Sequence, residues 1–361
     1  MDKRTIITFS EKANELLVPA WKDFVANYRA VNFSKKTRYD ESKTLEEKQA
    51  LVDSMIEQEV LHCANISADT FASASANVTN PVYQWAKFAV VNRLVDMVIP
   101  EVVRDDFFNV ANVTNIGYGD SAEFDIKSGD LFTVVKNGNS RRHVEAQRQF
   151  TGSKTLVPEN HTITVEYDLY RMLAGKDSPA EYAMKVILSM ESEIAIDIMS
   201  CITNAYSSLT ANFKEASFSE TTFKKLAARV TAANGGAKAV AVGTDVAVGT
   251  LLPTNDYLKM ELGEEYNKVG YLPVFKGVPV VGISQKIDWD SADYDFALSD
   301  KYVYILSPQT QKLVQVVFEG DSLTINGGLT EDANLTIKNS LHKRWKVGLI
   351  TNAHFGIIKV S

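Results

Sequence analysis

The sequence has little cysteine and no long hydrophobic run. Cys63 and Cys201 are its two cysteines among 361 residues, too few for a disulfide framework or a cysteine-based metal site. No stretch reaches 18 consecutive apolar residues, so a membrane-spanning helix is not expected. The first dozen residues lack the apolar segment of a secretory signal peptide. These absences predict a protein of a reducing, intracellular environment.

An excess of positive charge is also missing. The chain carries 38 Lys and Arg against 45 Asp and Glu, a formal net charge of −7. Nucleic-acid-binding domains are usually basic on one face, so that class is disfavoured. A mildly acidic surface does suit a protein that faces DNA without adhering to it. With 45% hydrophobic residues, the chain can bury a large core in two or more compact regions.

Motifs for catalysis fail their structural requirements. The loose dinucleotide fingerprint at 117–122 leads into an alternating strand, not into the helix that would hold a pyrophosphate. No phosphate-binding loop occurs, and Gly282–Lys286 lacks the last glycine of a hydrolase elbow, which favours a strand end. The histidines have no neighbouring ligand set at metal spacing, and His161 is expected at a strand edge. We therefore predict no enzyme activity, no cofactor and no metal site.

A long polar hairpin is the most distinctive feature. Ser121–Val135 and Arg141–Val157 alternate in polarity and flank Asn137-Gly138, the strongest short-range hairpin signal. Each segment of about 15 residues would reach about 50 Å. Neither face carries enough apolar residues to be covered by the chain itself. The pattern predicts an arm that completes its packing on a neighbouring subunit.

The tip of this hairpin is basic. Lys136, Arg141, Arg142 and Arg148 have only Glu145 against them. They form either a solvated loop or a charged contact to an acidic patch on a neighbouring subunit, and both interpretations stay open. Nucleic-acid binding is disfavoured because no aromatic residues interleave for base stacking. The candidate inter-subunit site comprises Lys136, Asn137, Gly138, Arg141, Arg142 and Arg148.

A third alternating run, His161–Tyr170, leads to a long helix predicted at Pro179–Leu209. Ser178, Pro179 and Glu181 form a helix-start signal. One side of the helix carries an apolar stripe. The opposite side is expected to be a solvated acidic face with Glu181, Glu191, Glu193 and Asp197.

Two amphipathic helices are predicted before residue 75. One includes Leu16–Tyr28 and the other lies near Thr44–Cys63, each with an apolar stripe and no evident partner. They form either a two-helix subdomain docked on the body or an extended arm under neighbouring subunits. A further helix from Val82 is expected to stop at Pro100, and Val102–Val110 to follow as a strand or short helix.

The remaining chain predicts an α/β region followed by closing strands. The α/β region contains a helix near Glu220–Ala233, a strand at Ala237–Val242, a helix near Asn255–Leu262 and a strand at Gly277–Gly282. The aromatic-rich segments Tyr294–Phe296 and Lys301–Leu306 complete it. The closing strands are Leu313–Phe318, Leu335–Asn339, Trp345–Thr351 and Phe355–Val360, with a turn at Gly327-Gly328.

In this order, the elements resemble those of the major capsid proteins of tailed bacteriophages. Besides the hairpin and the long helix, the resemblance is carried by Gly270–Gly282, Phe296–Tyr304 and Arg344–Leu349 with Phe355-Gly356. It implies an α+β, Hong Kong 97-type fold with an N-terminal helical arm, an extended hairpin loop, a long spine helix, and peripheral and axial domains. The implied division is 1–80 for the arm; 81–120, 159–215 and 310–361 for the peripheral domain with the spine helix at 178–209; 121–158 for the extended loop; and 216–309 for the axial domain.

The resemblance also implies a function. The chain would be a structural subunit that self-assembles through hexamers and pentamers into an icosahedral shell around packaged double-stranded DNA, without specific readout. Scaffold, portal and cement proteins are candidate partners, and no membrane is expected. The location would be the virion, after assembly in the host cytoplasm. Some family members crosslink a hairpin lysine to a distant asparagine, for which Lys127 or Lys136 and Asn339 are the candidates here.

Two alternatives remain at this point. An encapsulin-type nanocompartment shell would share the fold, although the long N-terminal arm argues against it. An α/β enzyme with an unrecognised site would place its chemistry in residues 216–309.

Overall fold

Long helices and two main β-sheets make up the chain. The computed structural model describes residues 9–33, 38–67, 80–107, 110–127, 151–168, 171, 178–254, 263–264, 266–289, 291–308, 312–326 and 336–360. The helices are α1 (Val18–Phe33, continuing the π-helical segment Ala13–Leu17), α2 (Leu45–Ala64), α3 (Pro81–Asp106), α4 (Pro179–Asn204), α5 (Glu220–Ala233) and α6 (Asp245–Gly249). The strands are β1 (Ala111–Ile116), β2 (Ala122–Lys127), β3 (Thr151–Leu156), β4 (Glu159–Asp168), β5 (Lys214–Glu215), β6 (Val240–Thr244), β7 (Val274–Phe275), β8 (Val278–Ile283), β9 (Tyr302–Leu306), β10 (Val314–Asn326), β11 (Thr336–Leu349) and β12 (Gly356–Lys359).

The described strands divide into three sheets. A four-stranded sheet has the order β1-β10-β11-β4, and a six-stranded sheet has the order β5-β12-β9-β6-β8-β7. Strands β2 and β3 form a separate antiparallel pair. Helices and sheets of mixed parallel and antiparallel pairing confirm the predicted α+β class.

The start of the long helix α4 is fixed by two caps. Ser178 Oγ accepts a hydrogen bond from the Glu181 amide at 3.2 Å, as the start signal predicts. Asp53 of α2 adds a second cap, accepting from Ser178 Oγ at 2.7 Å and from the Ala180 amide at 2.9 Å. A carboxylate at this end also complements the positive end of the helix dipole. Helix α2 is thereby tied to the first turn of α4.

Helix α4 runs through the larger hydrophobic core. Its 26 residues span about 39 Å. It ends at Asn204, before the predicted Leu209, and Ala205–Ser207 forms a 3₁₀ turn instead. The buried stripe includes Ala183, Met184, Ile187, Met190, Ile194, Ile198 and Ile202.

The two N-terminal helices dock on the body of the subunit. The indole of Trp21 is fully buried and donates to the carbonyl of Leu94 in α3 at 3.0 Å. Arg29, also buried, lies 2.7 Å from Asp106 at the end of α3. These contacts pack the helices on the body of their own subunit, and a position under neighbouring subunits stays a prediction.

The prediction that a helix stops at Pro100 is wrong. Helix α3 continues through Pro100 to Asp106, although an interior proline costs about 3 kcal/mol. Ile99, Val102 and Val103 around it are all buried. Burial of each such side chain contributes about 1.5–3 kcal/mol, which offsets the proline. Val102 to Asp106 therefore belong to the last turns of α3, not to a separate element.

Strand β11 corrects a second prediction. The sequence patterns predict two separate strands here, Leu335–Asn339 and Trp345–Thr351. The structure joins them in one strand of 14 residues, Thr336–Leu349. Lys343 faces inward in the middle of this strand and is buried with an ionic partner. A charged residue at an inward position concealed the continuous alternation.

The last strand lies in the other sheet. The predicted division assigns 310–361 to one domain, but this range contributes to both sheets. Strands β10 and β11 lie in the four-stranded sheet, whereas β12 pairs with β9 and β5 in the six-stranded sheet. The chain therefore returns at its end to the α/β region.

Helix α5 and the six-stranded sheet form a second core. The helix has the predicted bounds, Glu220–Ala233, because Ser219 caps its start and Gly235-Gly236 follows its end. Its inward side chains pack with those of β8 and β9, among them Phe223, Leu226, Val280, Val303 and Ile305. The predicted strand at Ala237–Val242 lies slightly later, at Val240–Thr244. The predicted helix near Asn255–Leu262 falls outside the described residues.

Candidate assembly surfaces

The base of the predicted hairpin is present. Strands β2 and β3 pair in antiparallel register from Ala122–Leu156 to Lys127–Thr151. Ala122 and Leu156 are buried against Val317 and Ile350. Beyond that contact, all β3 residues from Thr151 to Thr155 are exposed. The β2–β3 pair therefore contacts the four-stranded sheet only at its base. Further along, neither face of β3 is buried in its own subunit.

Strand β10 holds the chain where it enters the hairpin. Tyr118 exchanges two hydrogen bonds with the backbone of Asp321, donating from its hydroxyl at 2.7 Å and accepting from the amide at 2.8 Å. The amide of Gly119 donates to Glu319 Oε1 at 2.8 Å. Gly119 has φ of +79°, a left-handed conformation that glycine adopts without steric cost.

Glu319 also helps to hold the chain that leaves the hairpin, through an ion pair with Arg344. Arg344 of β11 lies 2.7 Å from the buried Glu319 carboxylate. Its second terminal nitrogen donates to the carbonyl of Pro158, after β3, at 2.8 Å. We call Tyr118, Gly119, Glu319 and Arg344 the root clamp. This clamp fixes both ends of the hairpin to the central strands β10 and β11.

A buried ion pair lies beneath the clamp. Lys343 Nζ is 3.0 Å from Asp96 of α3, and both side chains are at most 4% exposed. Lys343 also donates to the carbonyl of Gly320 at 2.8 Å, while the Ser322 amide donates to Asp96 at 2.7 Å. The register of β10 against β11 shifts between Glu319 and Leu323. The ion pair satisfies polar groups that this bulge would otherwise leave buried and unpaired.

Most of the sequence matches one protein-family model. The family is described as "SPbeta prophage-derived putative capsid protein YonB", and the match covers residues 25–359. The chain belongs to this family. The prediction of a phage capsid protein is confirmed, and the family favours a viral shell over the encapsulin-type alternative. It points to a structural role in a virion rather than to catalysis.

Solved structures of viral and virus-like particles resemble the capsid protein. The capsid of Helicobacter pylori bacteriophage KHP30 is 12% identical, covering 70% of this chain and 90% of its own, with a TM-score of 0.49. The mature capsid of bacteriophage PhiM1 is 12% identical, covering 69% and 86%, with a TM-score of 0.48. A virus-like particle from Pyrococcus furiosus is also 12% identical. The match covers 74% of this chain and 97% of the particle's chain, with a TM-score of 0.42. Because these TM-scores lie below 0.5, the assignment rests on the family match.

A search of curated proteins finds no match for the capsid protein. None of the helices that the structure describes is long and apolar enough to cross a membrane.

The predicted tip of the hairpin lies outside the described residues. The structure describes the hairpin of the capsid protein as far as Lys127 and again from Thr151. The inter-subunit role of the tip therefore stays a prediction. The residues concerned are Lys136, Asn137, Gly138, Arg141, Arg142 and Arg148.

The prediction of a solvated acidic face on α4 is wrong for two of its four acids. Glu191 is buried, and its carboxylate lies 2.7 Å from Lys286 and 3.9 Å from Arg29. Asp197 accepts a hydrogen bond from the indole of Trp345 at 3.1 Å. Other elements of the capsid protein cover the helix on these sides, which the helical period alone does not reveal. Glu181 and Glu193 are exposed, as predicted.

The predicted crosslink acceptor is buried. Asn339 is fully inaccessible in the subunit, and its amide nitrogen donates to the hydroxyl of Tyr182 at 3.2 Å. The side chains of Lys127 and Lys136 fall outside the description. The position of Asn339 argues against a crosslink through this residue of the capsid protein.

One set of potential metal ligands lies on α2, where the sequence predicted none. Ligand atoms of Glu59, His62 and Cys63 lie within 4.8 Å of one another. Both oxygens of Glu59 already accept from Ser10, at 2.9 Å from its amide and 2.6 Å from its hydroxyl. Burial, together with Glu59, raises the pKa of the Cys63 thiol to about 12. The hydrogen bonds from Ser10 to Glu59 tie the N-terminal segment to α2.

The motifs that the sequence analysis rejected as catalytic lie in a turn and in strands. Residues 117–122 form the turn that leads into β2, and Gly282 lies in β8. His161 lies in the edge strand β4 and stacks on Trp345 with ring centroids 3.6 Å apart. These observations agree with the predicted strand contexts.

Glu220 gives the α/β region an acid-sensitive contact. Its carboxylate lies 2.5 Å from Lys276 and accepts from the Thr254 amide. These hydrogen bonds, that of Lys276 first, lower the pKa of Glu220 from 4.5 to about 2. The folded state favours the charged carboxylate of Glu220. The contribution of this contact to folding stability is therefore present above pH 4.5 and is lost as the pH falls towards 2.

We expect Glu220→Gln to lower the free energy of unfolding by about 0.2–1 kcal/mol at pH 6. The difference from the wild type should shrink towards zero as the pH approaches 2. Urea unfolding of dissociated subunits between pH 6 and pH 3 measures this. Glu264→Gln is the control, since its pair with Lys268 at 2.8 Å is fully at the surface. A Glu220→Gln deficit that does not change with pH would contradict the assignment.

Proposed function

We propose that this capsid protein is the major capsid protein of a tailed phage. In this proposal, copies assemble through hexamers and pentamers into an icosahedral shell around packaged double-stranded DNA. The observation that carries the proposal is a hairpin held firmly at its root and exposed beyond it. The order of the described elements is also that expected for a Hong Kong 97-type subunit.

The root clamp and the exposed strand together favour an assembly arm. Strand β3 buries only Leu156 at its base, so its backbone pairing gains little from the subunit's own core. The clamp nevertheless uses a buried carboxylate and an arginine to fix the direction of the arm. Such an arm can add interface without enlarging the core of each copy, and obligate assemblies bury thousands of square ångströms per subunit.

The basic tip is the part of the arm that we assign to a neighbouring copy. Lys136, Arg141, Arg142 and Arg148 lie with Glu145 in one short segment of an otherwise acidic chain. Charged contacts of this kind set the register and specificity of an interface. In this proposal Asn137-Gly138, a dipeptide that favours a tight hairpin turn, connects the two strands of the arm.

The division of the subunit follows the predicted ranges with one change. Residues 1–80 act as a docked helical arm, 121–158 as the extended loop, and 216–309 as the axial domain. The peripheral domain comprises 81–120, 159–215 and most of 310–361, with α4 as its spine. Because β12 belongs to the six-stranded sheet, residues 356–359 move to the axial domain.

The net charge of −7 supports a shell that holds DNA without specific readout, since like charges limit adhesion. Scaffold, portal and cement proteins are further candidate partners. Assembly would take place in the host cytoplasm, and the protein would act without catalysis, cofactor or membrane attachment.

Sedimentation velocity and negative-stain microscopy of the purified protein test the proposal. With increasing protein concentration we expect ring-shaped capsomers and closed shells. Particles recovered from producing cells should protect DNA from nuclease, whereas a nanocompartment would contain a cargo protein instead. A protein that stays monomeric at every concentration, salt and pH would contradict it.

A further inference from the structure

Aromatic and acidic residues alternate in the segment between β8 and β9. Four aspartates and no lysine or arginine occur between Ile287 and Phe296. Trp289 is 75% exposed, Tyr294 is 65% exposed and Phe296 is 57% exposed. We call residues 286–297 the acidic aromatic loop. Such a concentration of exposed large rings is unusual on a protein surface and marks an interaction site.

Backbone hydrogen bonds give the acidic aromatic loop a defined shape. The Asp288 amide donates to the Asp295 carbonyl at 2.9 Å, and the Ala297 amide donates to the Lys286 carbonyl at 2.9 Å. Tyr294 has φ of +54°, a left-handed conformation that is unfavourable for a tyrosine. The rings of Trp289 and Tyr294 meet edge to face, with centroids 6.1 Å apart. The loop therefore presents its rings to solvent in an ordered arrangement.

The base of this loop is anchored on the long helix. Lys286 Nζ lies 2.7 Å from Glu191 of α4, and Gln285 donates to the Leu298 carbonyl at 3.0 Å. The loop thus lies where α4 meets the six-stranded sheet. A contact made there would act on both parts of the subunit.

We propose that the acidic aromatic loop binds the basic hairpin tip, residues 136–148, of a second copy of this chain. This inference rests on the proposed function and names the surface that receives the tip. The tip carries four basic residues and one acid, a net charge of +3, against four aspartates in the loop. Arginine pairs with carboxylates and also stacks on aromatic faces. A surface that offers both groups fits arginine better than lysine.

The symmetry of the contact agrees with ring formation. Tip and loop are different surfaces, and every copy carries both. A contact between two different surfaces is heterologous and continues from copy to copy until the rotation closes a ring. The pairing therefore favours capsomers over twofold dimers.

A charge exchange tests the pairing. One variant carries Arg141→Glu and Arg142→Glu, a second carries Asp288→Arg and Asp293→Arg at exposed positions of the loop, and a third combines all four changes. The critical concentration for assembly, measured by light scattering, should rise at least about tenfold in each of the first two. In the combined variant it should return to within about threefold of the wild type.

A matched control separates pairing from net charge. Glu11→Arg and Glu15→Arg, at exposed positions of the first helical segment, make the same charge change far along the sequence from the loop. Combined with the tip variant, they should leave assembly impaired. Equal rescue by this control, or no rescue by the loop exchange, would overturn the loop as the receptor while the shell function stands. A wild-type protein that never assembles would overturn both.

Tryptophan fluorescence gives a second readout that does not depend on charge. Trp21 and Trp345 are buried and Trp85 is half-buried, so Trp289 is the most exposed of the four tryptophans. Acrylamide quenching of the wild type should therefore fall on assembly as the tip covers Trp289. Trp289→Phe, which keeps a ring and leaves the core untouched, should assemble without this change. An equal fall in Trp289→Phe would contradict the proposed contact.

Discussion

Replacing Arg141 and Arg142 with glutamate is expected to prevent shell assembly while the subunit stays folded. Arg141 and Arg142 belong to a polar, basic stretch of the sequence. Replacing them removes no apolar side chain, so we expect the free energy of unfolding to stay within about 0.5 kcal/mol of the wild type. At a subunit interface, reversed charges face like charges, which costs several kcal/mol. Assembly should therefore require a protein concentration at least about tenfold higher.

The matched control for this prediction is Lys224→Glu with Lys225→Glu. These two residues are also adjacent and basic, and they lie exposed on α5. The control makes the same change in net charge and should still assemble. Sedimentation velocity reports assembly, and urea unfolding reports stability. Normal shells from the Arg141 and Arg142 variant would return the tip to the solvated-loop interpretation.

Replacing Lys343 with alanine should destabilise the subunit by about 3–5 kcal/mol. The change leaves Asp96 buried and charged without its partner at 3.0 Å, and breaking one side of a buried pair has this magnitude. It also removes the donor to the Gly320 carbonyl at the bulge of β10. Guanidinium unfolding, measured in the assembly-deficient tip variant, avoids the contribution of assembly to stability.

Lys346→Ala on the same strand is the control. Lys346 pairs with Glu159, but both side chains are substantially exposed, so the loss should be at most about 1 kcal/mol. Both lysines lie on β11 and pair with a carboxylate, but only the pair of Lys343 is buried. Equal destabilisation by both changes would show that burial of the Asp96 pair contributes nothing.

The sequence predicted those helices and strands whose periodicity and end signals lie within one short segment. Ser219 before α5 and Gly235-Gly236 after it marked both ends of that helix, and Ser178 marked the start of α4. The alternating runs around the hairpin gave β2, β3 and β4. In each case one segment contained both the periodicity and its stop signal.

The contacts that fix the hairpin had no such signal. Gly119 and Glu319 lie 200 residues apart, and nothing near either residue indicates the other. Lys343 and Asp96 join a strand and a helix in the same way. The helix through Pro100 was missed for a related reason, because burial of the residues around it outweighs a local rule. A charged residue at an inward strand position, such as Lys343, is the one local feature that indicates a buried partner.

An electron-microscopic reconstruction of the assembled particle is the most direct test of the assembly proposal. In this proposal, the hairpin of one copy, held by its root clamp, completes its packing on a neighbouring copy. We expect a closed icosahedral shell in which residues 128–150 of each subunit lie on an adjacent subunit. A closed shell in which this segment folds back on its own subunit, or contacts solvent alone, would contradict it.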